Sequence, residues 1–402
     1  MIEWIFLIAL LVSVTCAISG VFLVLRRDSL LGDSISHSIL LGIALVFLIF
    51  ESRDPLLMTV GGAIAGVVTA LLSKFLSSRL PIDTSLGVVF SSFFALGVII
   101  ISFTARNVDL DPSCVLYGNL ELLPFDTIGE IPKAFLRSLA LFFLVLGFLL
   151  VFWRVLLVSS FDEVLTKALG INPKVVYYVF VCLISVVTVL FFEMVGSILV
   201  IGMLVTPAAC SLLLTTRLNT VFLFSIAISI ISTILGVKLS LSIDAPVAAG
   251  IATAGLILFL IVLFFAPKNG VFSKFIERLL TRYRIATEDL LADLYRQTEK
   301  GFYVTPKSSI SRFLIPGLKL RGLLEGSSQG GFSLTKKGHD AGALVIRKHR
   351  LFESFLEQEI GLPPDHLHEI SEKVEHFITE KSESELRESI KSEKDPHGKV
   401  IP

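Results

Sequence analysis

The stretch that decides the fold runs from Trp4 to Phe50 and reads WIFLIALLVSVTCAISGVFLVLRRDSLLGDSISHSILLGIALVFLIF. It consists of two long apolar runs, residues 4–25 and 31–50, with only RRDSL between them. A helix needs about 20 apolar residues to cross the hydrocarbon core of a bilayer, and each run is close to that length. The stretch therefore predicts two membrane-spanning helices joined by a short polar turn.

Further apolar runs of similar length follow at residues 56–76, 84–105, 136–153, 175–194, 195–215, 219–240 and 245–266. Glycine is frequent in them, as in GGAIAG (61–66), and glycine lets neighbouring membrane helices approach closely. The pattern predicts an all-α polytopic membrane protein with about nine transmembrane helices, which form a bundle and not a single anchor.

The distribution of charge divides the chain in two. The whole sequence carries 35 Lys and Arg against 35 Asp and Glu, but charge is sparse up to Pro267 and dense from Lys268 onward. This change predicts a membrane domain at 1–267, a linker at 268–285 and a water-soluble domain at 286–402. The four cysteines form no CxxC pair, which argues against a disulfide framework and against a thiolate metal site.

The loop charges predict the orientation of the bundle. Cytoplasmic loops are enriched in Lys and Arg, so the side that collects most of them should be cytoplasmic. These residues are Arg26, Arg27, Lys74, Arg79, Arg154, Lys167, Lys174, Arg217 and Lys268. We therefore expect a multi-pass protein of the cytoplasmic (inner) membrane, with its N-terminus outside and its C-terminal domain in the cytoplasm.

Two polar features of the membrane domain call for a function. Asp33 and His37 stand four residues apart, so a helix puts them on one face at membrane depth. They either bond to each other to fix helix packing or contact a cation on its path. The segment FDEVLTKALGINPKV (161–175) has an apolar stripe too short to cross a bilayer, so it must dock on a partner or lie at the interface.

These motifs, together with MVGSILVIGMLVTPAACSLLL (194–214), resemble the permeases of ABC-transporter family 3, which import manganese, zinc or iron. The resemblance implies a second permease subunit, an extracytoplasmic metal-binding protein and a cytoplasmic ABC ATPase as partners. It makes residues 161–172 the helix that couples to the ATPase, through Phe161, Asp162, Leu165, Ala168, Leu169 and Gly170. The sequence has no GxxxxGK[ST] phosphate loop, so we expect a permease and no enzyme, with ATP hydrolysed by another subunit. A secondary transporter that needs no ATPase is the alternative.

The first half of the soluble domain (286–340) has the element order of a degenerate winged helix. Residues 286–299 predict a helix, Pro306 and Pro316–Gly317 interrupt the pattern, residues 318–324 predict a short helix, and EGSSQGGFSLT (325–335) predicts a hairpin. Positive charge suited to DNA phosphates comes from Lys307, Arg312, Lys319 and Arg321. A solvated basic face is the alternative for the same residues.

The second half (341–402) is rich in metal-ligand side chains. His349 and Glu353 are four apart on one helical face, and His368, Glu372, Glu375 and His376 share another. Nitrogen and oxygen ligands without thiolate suit Mn²⁺, Fe²⁺ or Zn²⁺. A charged solvent-facing surface is the alternative.

The motifs FSLTKKG (332–338), VIRKHRLFESFL (345–356), HLHEISEKVEHFITE (366–380) and DPHGKVIP (395–402) resemble the metal-dependent repressors of the diphtheria-toxin-repressor family. The resemblance implies one metal site at His349, Glu353 and His368 and a second at Asp289, Glu372, Glu375 and His376, with Ala292 where a carboxylate is expected. It favours Mn²⁺ or Fe²⁺ over Zn²⁺. Three roles follow for the tail. It is a sensor that regulates transport, a repressor that binds operator DNA while tethered or after proteolysis near residues 268–285, or a scaffold or dimerisation module whose metal sites are vestigial.

Overall fold

The structure of the chain is a computed structural model that describes residues 2–51, 55–104, 120–299, 309–326, 332–390 and 393–402. The chain divides into two compact units, Met1–Ser273 and Lys274–Pro402. We describe each unit by itself.

The first unit is built from long apolar helices. Within the described residues, nine of them are long and apolar enough to span a membrane, which confirms the predicted fold class. They are α1 (Ile2–Leu25), α2 (Leu31–Phe50), α3 (Pro55–Leu76), α4 (Ile82–Thr104), α5 (Lys133–Phe161), α7 (Pro173–Val195), α8 (Ser197–Leu214), α9 (Leu218–Ile243) and α10 (Val247–Phe265). The short α6 (Glu163–Ala168) joins α5 to α7, and a 3₁₀ turn (Leu123–Phe125) and a hairpin of β1 (Thr127–Ile128) and β2 (Ile131–Pro132) precede α5.

Helix α1 lies at the centre of the bundle. It is apolar all round because α5, α8 and α9 pack around it. Phe22 is fully buried, and its ring lies 5.7 Å from Trp153, 6.2 Å from Phe180 and 5.4 Å from Phe222. By contrast, α4 presents large apolar side chains outward, with Phe103 75% exposed, as expected of a helix facing lipid.

Helices α2 and α3 meet through glycine. A Cβ atom built on Gly42 would lie 2.8 Å from the backbone nitrogen of Gly62, and the backbone of Gly61 is closer still. The predicted close packing of the GGAIAG stretch is therefore observed at this crossing.

We expect Gly42→Ala to destabilise the bundle, because a methyl group at this crossing forces two backbones apart. The melting temperature of the detergent-solubilised protein should fall by about 5 °C or more. Gly147→Ala is the matched control, since a Cβ at Gly147 meets nothing within 4 Å. Equal melting temperatures for the two variants would refute this account of the crossing.

The second unit contains most of α11 (Val271–Glu299), then α12 (Ser309–Leu320), β3 (Leu324–Gly326), β4 (Phe332–Leu334), α13 (Lys336–Phe355) and a π-helical turn (Leu356–Ile360). These are followed by α14 (Pro364–Val374), a 3₁₀ turn (Glu375–Phe377) and α15 (Glu380–Ser389). Strands β3 and β4 form an antiparallel hairpin, with Leu324 opposite Leu334. The hairpin covers a small core of Leu291, Leu294, Leu314, Ile315 and Leu318.

Two local predictions differ from the observed elements. The short helix predicted for residues 318–324 was wrong: α12 ends at Leu320, and Leu324 begins a strand. Pro316 does not interrupt the helix but lies inside it, because burial of Leu314 and Leu318 on the opposite face outweighs the local cost of proline. The predicted break at Pro306 lies outside the described residues. Most of the predicted linker, 268–285, is helical and belongs to α11.

Candidate metal centre

Four elements of the second unit bring the predicted ligand side chains together: α11, α13, α14 and the 3₁₀ turn Glu375–Phe377. Thr335 starts α13 by accepting a hydrogen bond from the backbone N–H of Gly338 (3.1 Å). Gly342 then lets α13 approach α11, because a Cβ there would lie 2.9 Å from the carbonyl oxygen of Leu291. The π-helical turn ends at Gly361, whose φ of +73° is easy only for glycine, and α14 follows.

The first cluster consists of His349, Glu353 and His368. The Nε2 atom of His349 lies 3.0 Å from Oε1 of Glu353 and 2.9 Å from Nδ1 of His368. The same Glu353 oxygen lies 3.1 Å from Nδ1 of His368. His349 and Glu353 are 3% and 2% exposed, so both groups are held away from water, whereas His368 is exposed.

The second cluster consists of Asp289, Glu375 and His376. The Nε2 atom of His376 lies 3.0 Å from Oδ1 of Asp289 and 3.7 Å from Oε1 of Glu375. In both clusters the three ligand atoms lie within 4.8 Å of one another. Both predicted sets are therefore brought together in large part, from helices that are distant in sequence.

Glu375 connects the two clusters. Its Oε2 atom lies 2.5 Å from Nδ1 of His349, while its Oε1 atom faces His376. His349, Glu375 and His376 are all buried, so the link between the clusters lies inside the unit. A change at His349 therefore reaches both clusters.

The buried groups shift one another's protonation. Burial alone disfavours the charged imidazole, but hydrogen bonds with Glu353 and Glu375 outweigh it and raise the pKa of His349 to about 9. Burial alone would likewise raise the pKa of Glu353, but its hydrogen bonds with His349 and His368 hold it below its usual range. Burial raises the pKa of Asp289 above its ordinary value, against the opposing effect of His376. Without a metal, an imidazolium at His349 compensates the buried carboxylates.

This arrangement predicts how the metal-free unit responds to pH. A pKa that is higher in the folded state than in the unfolded state stabilises the fold below the unfolded value of 6.5. That stability is lost as the pH rises toward 9. We expect the free energy of local opening of α13 to fall by on the order of 2 kcal/mol between pH 6.5 and 9.

Amide hydrogen exchange of the full chain in a chelator, corrected for intrinsic exchange rates, measures this opening. The His349→Asn chain is the control and should lack the slope. An opening free energy that rises with pH in the unaltered chain would contradict the assignment.

Several residues differ in detail from the predicted sites. Glu372, predicted for the second site, has its Oε1 atom 3.2 Å from Nε2 of His368, one turn away on the same helix. Ala292 is buried and lines a cavity of about 600 Å³ beside the second cluster, while Asp293 pairs with Arg296 at 3.8 Å.

Sequence reasoning missed Glu288, whose Oε2 atom lies 2.8 Å from Nδ1 of His376. Its position beside Asp289 in an acidic pair was the available signal. Sequence reasoning also missed Arg350, which is buried and bonded to Glu299 (2.8 Å), to Asp395 (3.4 Å) and to the carbonyl oxygen of Val400 (2.6 Å). These bonds hold the end of the chain against α13.

In the membrane unit, Asp33 and His37 form the predicted pair on one face of α2. Oδ1 of Asp33 lies 3.4 Å from Nε2 of His37. The imidazole lies between two aromatic rings of α4, 5.5 Å from Phe90 and 5.6 Å from Phe94. These ring contacts pack α2 against α4, and both groups of the pair are partly exposed.

The segment predicted to couple to an ATPase forms a short capped helix. Oδ1 of Asp162 accepts a hydrogen bond from the N–H of Leu165 (2.8 Å), and Gly170 ends the turn with a φ of +77°. The apolar side chains face outward: Phe161, Leu165 and Leu169 are 65%, 47% and 59% exposed, and Ala168 is exposed too. The stripe is not used by the chain's own core.

The basic residues proposed for DNA are only partly described. Lys307 and the side chain of Arg312 lie outside the described residues. Lys319 and Arg321 are exposed, with Nζ of Lys319 4.7 Å from the ring of Phe332 and the guanidinium of Arg321 5.6 Å from that of Tyr283. Two exposed cations beside a hairpin are compatible with phosphate contact but do not define a groove-reading surface.

Comparison with known families gives two matches. Residues 1–266 match the model of the ABC 3 transport family, and residues 335–402 match the iron dependent repressor, metal binding and dimerisation domain.

Individual relatives agree with the first match. The manganese transport system membrane protein MntD of Bacillus subtilis is 35% identical over 282 residues, which cover 69% of this chain and 96% of the relative. The zinc transport system membrane protein TroD of Treponema pallidum is 37% identical over 271 residues, covering 66% of this chain and 74% of the relative. Among solved structures, PsaBC from Streptococcus pneumoniae in complex with Fab matches with a TM-score of 0.56 and 28% identity, covering 66% of this chain and 92% of that one.

Both relatives are named as membrane proteins of transport systems, which agrees with the prediction of a permease and no enzyme. The chain therefore belongs to the ABC 3 transport family and carries, at residues 335–402, a metal-binding and dimerisation domain of the iron-dependent repressor type.

Proposed function

We propose that this chain is the permease subunit of an ABC importer for a divalent transition metal, and that its tail binds the same ion and regulates transport. One observation carries the proposal: a bundle of the ABC 3 family is continuous with a unit that gathers two clusters of imidazoles and carboxylates. The names of its relatives, which refer to manganese and zinc transport, support a metal as the cargo.

The side chains present fit a metal. His349, Glu353 and His368 would hold one ion, and Asp289, Glu375 and His376 a second, with Glu372 and Glu288 adjacent. A bound dication would supply the positive charge that an imidazolium at His349 otherwise provides to the buried carboxylates. Imidazole and carboxylate ligands suit Mn²⁺, Fe²⁺ and Zn²⁺ alike. We rank Mn²⁺ and Fe²⁺ ahead of Zn²⁺ because the tail matches a domain of iron dependent repressors and the relative MntD is named for manganese transport.

For the bundle, we propose that Asp33 and His37 contact the ion on its path. The N-terminus would lie outside the cytoplasmic membrane and the tail inside. Partners would be a second permease subunit, an extracytoplasmic metal-binding protein and an ABC ATPase that seats on residues 161–170. The exposed apolar stripe of that segment supports the last of these.

For the tail, regulation of transport is the first candidate, because Glu375 contacts His349 of the first cluster and faces His376 of the second, so an ion bound at one cluster would act on the other. Binding of operator DNA is the second, and the helix followed by a hairpin with Lys319 and Arg321 exposed favours it. If the tail is only a scaffold for dimerisation, metal should change neither transport nor DNA binding.

Reconstitution of the full chain with its ATPase and binding protein tests the proposal. Uptake of radioactive Mn²⁺ or Fe²⁺ into vesicles should require ATP and stop with vanadate. Metal added on the side of the tail should slow uptake by the unaltered chain but not by Glu353→Gln. ATP-independent uptake would indicate a secondary transporter, and equal uptake by both chains at all metal concentrations would remove the regulatory role.

A further inference from the structure

The first half of α11 carries an apolar stripe that the described residues leave about half exposed. Phe272, Phe275, Ile276, Leu279 and Leu280 recur at helical spacing, and each is between 47% and 64% exposed. Exposed apolar patches of this kind mark a surface that meets a partner or a membrane.

The second half of the same helix has an apolar face too, but there the face is buried. With about 100° per residue, the stripe continues along one face through Leu290 to Leu294. There it is covered: Leu291 and Leu294 are buried in the core beneath the hairpin. The helix is amphipathic along its whole length, but only the apolar face of its second half packs against the core of the second unit.

The start of α11 is tied to the end of a membrane span. Span α10 ends at Phe265, and α11 begins at Val271. The ring of Phe272 lies 5.5 Å from that of Phe264 and 5.3 Å from that of Phe265, and the Ser273 hydroxyl donates to the carbonyl of Ala266 (2.8 Å). The first turn of the exposed stripe is therefore held at the end of a helix that crosses the bilayer.

The charge of this segment complements a lipid surface. Around the stripe in sequence lie four basic residues, Lys268, Lys274, Arg278 and Arg282, against the single acidic residue Glu277. Lys274 and Arg278 fall on the polar side of the helix, and Arg282 falls at the edge of the stripe. A basic segment directly after a span attracts the anionic headgroups of the cytoplasmic leaflet.

We propose that residues 271–284 form an interfacial helix, whose apolar stripe is buried at the headgroup and acyl boundary of the bilayer and whose basic residues bind anionic lipid headgroups. A second copy of the chain is a weaker candidate for covering the stripe. The stripe from Phe272 to Leu280 covers nine residues, about 13 Å of helix, and offers far less than the roughly 800 Å² per partner of a stable interface. The bilayer, in contrast, is close to the first turn of α11, because that turn directly follows the membrane span α10.

The test uses the full chain in lipid nanodiscs, with its native cysteines Cys16, Cys114, Cys182 and Cys210 replaced by alanine. An environment-sensitive fluorophore is attached at Leu279→Cys in one sample and at Glu277→Cys, an exposed position outside the stripe, in the matched control. Lipids with a nitroxide near the top of the acyl chain should quench the Leu279→Cys probe several-fold more than the control. Aqueous iodide should show the reverse order.

Equal access of iodide to both probes would overturn the proposal, and so would protection of Leu279→Cys that lipid nitroxide cannot quench, because protein then covers the stripe. Protection that appears only when two chains share a disc would assign the stripe to a second copy and overturn it as well. Ile276→Cys repeats the measurement should Leu279→Cys fail to fold. Lipid quenching that is unchanged when anionic lipids are omitted would refute the headgroup contacts.

Discussion

Replacing His349 with alanine should remove tight metal binding from both clusters of the tail. The side chain contacts Glu353 in the first cluster and Glu375, which also faces His376 in the second. Without the imidazole, the first cluster loses a ligand, and the buried carboxylates Glu353 and Glu375 lose a compensating charge. We expect the affinity for Mn²⁺ or Fe²⁺ to fall by about 100-fold or more. Elemental analysis of the full chain after dialysis at micromolar metal measures the loss.

His366→Ala is the matched control. It lies on α14, two residues before His368, but it is exposed and belongs to neither cluster. The control should keep the metal content of the unaltered chain. Full metal retention by His349→Ala, or an equal loss in both variants, would show that these clusters are not the binding sites.

Replacing Leu165 with arginine should disconnect the permease from its ATPase. The side chain is 47% exposed on a helix whose apolar face is not used by the core, so the charge should leave the bundle folded. A charge in the centre of an apolar docking surface leaves an unpaired, desolvated group at the interface. ATP-driven uptake in vesicles should fall about tenfold or more, with loss of ATPase subunit from the purified complex.

Lys167→Ala serves as the control, because it alters an exposed residue of the same helix that pairs with Glu163 (3.2 Å). This exposed ion pair contributes little, so uptake should stay within about twofold. Uptake by Leu165→Arg at the level of the control would mean that the ATPase seats elsewhere.

The parts of the structure set by regular spacing could be predicted from the sequence. Apolar runs of about 20 residues indicated the nine spans, because a segment that crosses lipid must satisfy its own backbone hydrogen bonds and a helix of that length does so. Ligand residues four positions apart, such as His349 and Glu353, could be placed on one face of a helix from the sequence alone. The helix that supplies the third ligand was not needed for that prediction. The hairpin between Leu324 and Leu334 followed from a glycine-rich turn between apolar ends.

The remaining features depend on how helices distant in sequence pack. Glu288 contacts His376, 88 residues away, and although its pairing with Asp289 marks it as a candidate ligand, no local pattern indicates which imidazole it contacts. Pro316 was misread because the burial of its neighbours outweighs its helix-breaking tendency. The link from Glu375 to His349 needs two elements to converge, which spacing within either one does not reveal.

The most direct test of the central claim is a comparison of two ion preferences in one preparation. The full chain is reconstituted with its ATPase and binding protein and titrated with Mn²⁺, Fe²⁺ and Zn²⁺. ATP-driven uptake of each ion gives the order in which the bundle prefers the three ions. The difference in metal content between the unaltered and His349→Ala chains gives the order in which the tail prefers them. We predict the same ion first in both orders, manganese or iron. Different leading ions, or a tail that retains none at micromolar concentration, would contradict the claim that carrier and tail recognise one metal.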